Sequence, residues 1–232
     1  MGVDLSFLVR SLAAQATAEE GSDLLRLPTE RDLVESLDIS RGALREQLSM
    51  LEMLGFLVRV QGRGSFLRVP DSSFIQLYFD LSSQLGHLSG TQFRTAREML
   101  ELTVAESAAR LATADDVDTL RALVDEMVAA STAGDDARAL EADLEFHRKL
   151  FLVVQNPIFT LLYDGLAHVL RDEVVERRRA AVDREPLANG ATRIIDTVHY
   201  GIVDAVGARD GEEARVAMRR HFEVWSSLTG EH

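Results

Sequence analysis

The chain has 232 residues, 46% hydrophobic and 27% charged, a composition that excludes a disordered or fibrous protein and provides apolar material for two cores. It has no cysteine, which excludes disulfides and thiolate metal sites and fits a reducing, cytoplasmic setting. The net charge of −13 is unevenly spread: residues 1–70 hold 8 Arg against 10 acidic residues, while the remainder holds 17 basic against 28 acidic groups.

Nucleic acid is therefore not excluded as a partner of the N-terminal part. Within 41–68 there are five Arg against two Glu. A local basic patch suffices for DNA, because phosphate attraction is screened beyond about 10 Å. No apolar run approaches the roughly 18 residues that span a bilayer, so no membrane partner is expected. The first residues mix Asp4 and Arg10 in an amphipathic pattern rather than the basic start and apolar run of a signal peptide.

In chain order, residues 3–17 predict a helix with Leu5, Leu8, Val9 and Leu12 on one face. A polar stretch from Thr17 to Asp23 follows. Pro28 suits the first position of a second helix running to about Leu37. Ser40 suits the N-cap of a third helix ending near Gly55. The period then changes to alternation. Residues 56–60 and 65–69 predict two strands joined by a hairpin tip, Gln61-Gly62-Arg63-Gly64. Pro70-Asp71 ends the pattern, giving expected domains of 1–70 and 71–232. Beyond it only helical periodicity appears, over about 73–86, 91–113, 115–132, 136–155, 157–181, 191–208 and 211–229. Pro186 and Asn189-Gly190 mark a loop.

On the third helix, Leu44, Leu48, Leu51 and Leu54 share one face, while Arg41, Gly42, Arg45 and Ser49 lie away from it. Such a pair of arginines is commonly only a solvated face. Here it opens a helix that follows another helix and precedes a basic-tipped hairpin. That order suits a recognition helix entering the major groove, where arginine can donate two hydrogen bonds to guanine. Arg63, between two glycines, can reach a phosphate or the minor groove, and Arg31 can touch phosphate.

The run from Leu27-Pro28-Thr29-Glu30-Arg31 through Ile39-Ser40-Arg41-Gly42-Ala43-Leu44-Arg45-Glu46 and Leu54-Gly55-Phe56 to Gln61-Gly62-Arg63-Gly64-Ser65-Phe66 closely resembles the head of the GntR family of regulators. The resemblance implies a winged helix-turn-helix with Arg31, Ser40, Arg41, Arg45 and the tip Gln61-Gly62-Arg63 at DNA.

Asp143 and His147 are four residues apart on one predicted helix, a pair that can hold a metal or merely form a surface hydrogen bond. His199 and His221 each lie 11 residues from Asp210, near the turn between the last two helices. In an antiparallel hairpin both would sit about 16 Å from that turn, side by side. Together the four residues make an N3O set for zinc, with nickel or manganese as alternatives. His87, His168 and His232 have bland readings as rim or terminal residues. Trp225 and Tyr163 read as packing or pocket walls.

The stretches Arg97-Glu98-Met99-Leu100-Glu101, Asp143-Leu144-Glu145-Phe146-His147, His199 to Val206 and Ala217 to His221 resemble the FCD effector domain of the FadR subfamily. The resemblance implies an all-α bundle of six or seven helices, a metal on those four residues and a pocket for a small carboxylate, with Arg97 as its partner. The alternative for Arg97 is a surface salt bridge to Glu101. Arg148 is a lesser candidate. The expectation is thus a homodimeric regulator of a palindromic double-stranded operator, controlled by an organic acid. A metal-dependent hydrolase, and a metal-stabilised DNA-binder without a ligand, are the competing readings.

Overall fold

The computed structural model describes residues 4–184 and 192–229. The loop expected at Pro186 and Asn189-Gly190, and His232, lie outside them. The chain divides into two compact units between Leu77 and Tyr78.

In the first unit, α1 (Leu5–Gln15), α2 (Glu30–Leu37) and α3 (Arg41–Met53) bury Leu8, Leu12, Leu33, Leu44, Leu48 and Leu51 in one core with Leu27 and Leu57. Each helix start is fixed locally. The Thr29 hydroxyl accepts the Asp32 N–H at 3.3 Å, and the Ser40 hydroxyl accepts the Ala43 N–H at 3.2 Å, satisfying donors that have no partner inside the helix. Thr29, not Pro28, opens α2. The proline is therefore outside the helix, because the hydroxyl one residue later takes the cap. Asp38 ends α2 in the left-handed region, and Gly55 has φ +82 just after α3, a conformation that favours a residue without Cβ.

The sheet has four antiparallel strands in the order β1 (Thr17–Ala18), β2 (Leu25–Arg26), β4 (Gly64–Leu67), β3 (Leu57–Val60). The predicted hairpin is β3–β4, with Val58 opposite Phe66 and Val60 opposite Gly64. Strands β1 and β2 fall in and beside the stretch read as a polar connection. Two residues are too short to show a period; β1 pairs with β2, and β2 pairs with β4, which lies far along the chain.

From α4 (Ser73–Gln84) onward the described structure is helical. The longest helices are α5 (Gly90–Leu111), α6 (Ala114–Thr132), α7 (Asp136–Val153) and α12 (Gly211–Thr229). Their inner faces are rich in alanine (Ala105, Ala108, Ala109, Ala139, Ala142, Ala214), around Phe146, Leu120, Met127 and Met218. Small residues let α5 pack on α12 and α6 on α7. Ser89 and Gln92 form a reciprocal cap on α5, and Thr113 and Asp116 do so on α6.

The predicted 157–181 helix is two: α8 (Pro157–Val169) and α9 (Arg171–Arg184). Leu166 and Leu170 pack with Phe93, whereas Ala181 packs with Ile195 and Trp225, so the two halves serve different cores. The predicted 191–208 helix is likewise α10 (Ile194–Thr197) and α11 (His199–Gly207). At this break the Asp196 carbonyl accepts from the His199 ring at 2.9 Å.

The leucines of α3 anchor the first unit. Leu48→Ala is expected to lower its stability by about 2–5 kcal/mol, read as a lower denaturation midpoint with the helical unit's own transition unchanged.

Candidate DNA interface and metal centre

The fold of the first unit leaves the basic residues outside. Arg31 on α2, Arg41, Gly42 and Arg45 on α3, and Gln61, Gly62 and Arg63 at the hairpin tip are all exposed. Ser40 is exposed too, but its hydroxyl is engaged as the α3 cap. The space around Gly42 is open: a Cβ there would meet nothing within 4 Å. Three of the arginines pair with carboxylates of the same unit, Arg31 loosely with Asp32 at 3.7 Å. Arg45 Nε donates to Glu30 at 2.8 Å, and Arg63 donates to Glu19 at 2.6 Å while lying over the Phe66 ring. Gly62 has φ +76, which lets the tip turn tightly.

The second unit gathers its candidates inside. Asp143 and His147 on α7, His199 at the start of α11 and His221 on α12 are all buried. The rings of His199 and His221 lie 4.5 Å apart between centroids, and His147 lies 4.8 Å from His221. One donor atom from each of the four residues falls within 4.8 Å of the others.

Two of the imidazoles have an assigned orientation. The Asp196 carbonyl can only accept, so the His199 Nδ1 carries the proton and Nε2 presents its lone pair 3.1 Å from Asp143 Oδ1. The Glu101 carboxylate lies 2.6 Å from His147 Nδ1, leaving His147 Nε2 to face Asp143 Oδ1 at 3.8 Å. A ring nitrogen tied to a carboxylate or carbonyl, with the other turned inward, is how metal-binding histidines are held. The His147 Nδ1–Glu101 Oε2 contact is close but falls outside hydrogen-bond geometry, and Asp143 Oδ1, His147 Nε2 and His199 Nε2 have no hydrogen-bond partner in a buried site. Such orphaned atoms are costly alone, and a divalent cation would satisfy them together. The set fits a metal and could hold one.

Electrostatics favour the required protonation states. Burial opposes ionisation of Asp143, but its close contact with His199 and the nearby His147 and Arg178 outweigh it and hold its pKa well below the usual range. Burial, helped by the neighbouring His199 and His147, holds His221 well below its ordinary value, so its ring is neutral at pH 7. Glu101 is also buried, which would raise its pKa, yet Arg97 and His147 bring it down to about 2.

Arg97 is where its two readings meet. It does pair with Glu101, at 2.5 Å, but the pair is buried rather than on the surface. Its guanidinium also faces the Tyr163 ring. Arg97 further lines a cavity of about 30 Å³ with Asp143, Arg177, His221 and Trp225. A second cavity, of about 340 Å³, shares Arg97, Val174, Arg177 and Phe222 with it. That is the scale of a small-molecule site. Arg148 instead pairs with Asp164, and His168 with Asp80. Trp225 is a pocket-wall and packing residue, as its sequence context suggested, whereas the role of Glu101 beside His147 was not revealed by the sequence. The i,i+4 spacing of Arg97 and Glu101 was visible, but not the burial that makes Glu101 a partner of His147.

Comparison with known proteins agrees with this architecture. The FCD domain matches residues 92–224, and the gntR family of bacterial regulatory proteins matches residues 21–67. The chain belongs to the FCD-bearing, FadR-like branch of the GntR family. It is 29% identical to the HTH-type transcriptional repressor NanR of Cronobacter sakazakii, over 96% of this chain and 88% of that protein. It is 28% identical to the regulator LutR of Bacillus subtilis, over 85% of this chain and 88% of LutR. The fold matches Streptococcus agalactiae GntR with a TM-score of 0.63, at 23% identity over 95% of each chain. This GntR protein is a DNA-binding transcription regulator and not an enzyme; the hydrolase reading is thereby set aside. No described helix is long and apolar enough to cross a membrane.

The Arg97–Glu101 pair has a stability signature. Arg97→Ala leaves a buried carboxylate without its cation and is expected to cost about 3–5 kcal/mol at pH 7, measured by chemical denaturation. Because the Glu101 pKa is depressed from 4.5 to about 2 in the fold, its contribution is complete above pH 4.5 and fades as pH falls toward 2. The deficit of Arg97→Ala should shrink across that window; a deficit independent of pH would show that Glu101 is not held ionised.

Proposed function

We propose that this GntR regulator binds a palindromic double-stranded operator as a cytoplasmic homodimer, and that a small organic acid controls its affinity from a site beside a divalent metal. Residues 1–70 form the DNA-binding domain in this reading, and 71–232 the domain for metal, effector and dimerisation. Asp143, His147, His199 and His221 hold the metal, zinc first and nickel or manganese as alternatives. Arg97 receives the carboxylate.

The observation that carries the reading is the buried cluster of orphaned donor atoms next to a cavity walled by Arg97. A bound cation would supply Lewis-acid attraction for an anionic ligand. The chain's own part is to fix the ligand atoms, through Glu101 behind His147 and the Asp196 carbonyl behind His199, and to offer a planar guanidinium suited to a carboxylate. The homodimer is supported by an exposed apolar stripe along α4, Phe74, Leu77, Tyr78 and Leu81, continued by Leu85.

At DNA, Arg41 and Arg45 are assigned to base edges or phosphates of the major groove, and Arg31 and the tip Gln61-Gly62-Arg63 to the backbone or minor groove. Ser40 holds the start of the recognition helix, and Gly42 leaves room for the duplex. Glu30 and Glu19 now hold Arg45 and Arg63, so DNA phosphate would replace a carboxylate at each. Coupling between ligand and operator is expected at the usual scale of about 1–3 kcal/mol.

Arg41→Ala and Arg45→Ala should each weaken binding to an operator selected from random duplexes by about 1–3 kcal/mol. Equal affinity in all three proteins removes the assigned recognition helix. Protein purified without chelator should carry about one equivalent of metal, and His199→Ala should lose it. Equal metal content in both sinks the centre. If chelation lowers the melting temperature while no organic acid raises it, the metal is structural and the effector site is wrong.

A further inference from the structure

Trp225 is the chain's single tryptophan, on α12 one turn after His221. Its indole Nε1–H donates to His221 Nε2 at 3.1 Å, in a buried position. An indole nitrogen is a donor only, so His221 Nε2 must offer its lone pair to Trp225 and the proton sits on Nδ1. His221 thus differs from its two neighbours. His147 and His199 keep Nε2 bare and turned toward Asp143, while the His199 Nδ1 donates to the Asp196 carbonyl and the His147 Nδ1 lies 2.6 Å from the Glu101 carboxylate. On His221 the only lone pair is already taken, and the protonated Nδ1 is buried without an acceptor.

We infer that Trp225 competes with the metal for His221, so that metal loading releases the indole N–H to the cavity whose wall it forms. Coordination through either nitrogen breaks the bond. If Nε2 binds the ion, its lone pair leaves the indole. If Nδ1 binds it, the ring proton moves to Nε2, where it faces the indole N–H donor against donor. Either way the Trp225–His221 bond is lost. The released donor stands in the cavity lined by Arg97 and Arg177, the latter stacked near the Trp225 ring. A ligand oxygen there would find an N–H that the metal-free protein keeps engaged. Trp225 is accordingly a positioning residue that links the state of the metal to the polarity of the pocket. This inference rests on the metal reading proposed above.

The Trp225–His221 bond stabilises only the metal-free form, so deleting it should tighten metal binding. In full-length protein stripped of metal, Trp225→Phe should bind Zn²⁺ roughly two- to tenfold more tightly than wild type, the worth of one hydrogen bond, read by competition with a chromophoric chelator. In wild type, Zn²⁺ should shift the Trp225 emission with a break at about one equivalent; Zn²⁺ is closed-shell, so the shift reports rearrangement and not paramagnetic quenching. His199→Ala should abolish the shift. If wild type binds Zn²⁺ but the emission stays constant, or folded Trp225→Phe binds it equally or more weakly, the competition is refuted while the metal centre stands. If Trp225→Phe does not fold, the wild-type emission decides alone. Failure of wild type to bind Zn²⁺ at all overturns the metal reading and this inference together.

Discussion

Burying a carboxylate and three imidazoles in the middle of a helical bundle costs free energy unless each polar atom finds a partner, and the second unit is organised around that constraint. Asp143, His147, His199 and His221 come from α7, α11 and α12. A shell of other buried groups then compensates them. Glu101 stands behind His147, Arg97 behind Glu101, and the Arg178–Asp196 pair lies near Asp143 and His199. The charges alternate outward from the centre. The inward-facing lone pairs of Asp143, His147 and His199 are among the buried atoms this shell leaves without a hydrogen-bond partner. A cation placed there would bind the folded state and not the unfolded one, and so would add stability by mass action.

The first unit follows the opposite logic. Its core is almost entirely leucine, with no buried ion pair among the described residues, and its polar groups are turned outward. The starts of α2 and α3 are fixed by hydroxyl caps of local sequence, so the exposed face of α3 can carry charge without weakening the core behind it. Arg45 on that face and Arg63 at the hairpin tip are held by Glu30 and Glu19, exposed pairs of small net worth, which makes them easy to exchange for phosphate.

The parts of this fold legible in the sequence are those fixed by short-range rules. Leucine spacing on α1 and α3, Ser40 as a cap and the Gly-rich tip between β3 and β4 all depend on neighbours a few residues away. The side-by-side placement of His199 and His221 was also legible, because a hairpin brings positions equidistant from its turn together, and their rings lie 4.5 Å apart. Tertiary effects were not. The two-residue strands β1 and β2 exist only because β4 offers an edge. The break between α8 and α9 reflects two separate cores. The break before His199 coincides with a carbonyl bonded to a ring nitrogen. Burial of Glu101 depends on α5 packing against α7, which its exposed-looking spacing to Arg97 concealed.

The same packing means that metal and ligand could not act independently in the proposed site. Arg97, Asp143, His221 and Trp225 wall the small cavity, and two of these four are proposed metal ligands. Arg97 cannot turn toward a carboxylate without changing what it offers Glu101, and Glu101 in turn orients His147. A ligand drawing on Arg97 would therefore alter the basicity of a histidine two contacts away. Binding linkage is reciprocal, so a metal that sharpens affinity for an acid must be held more tightly when the acid is present, by the same factor. In such a site, metal occupancy sets the response to the effector rather than merely supporting the fold.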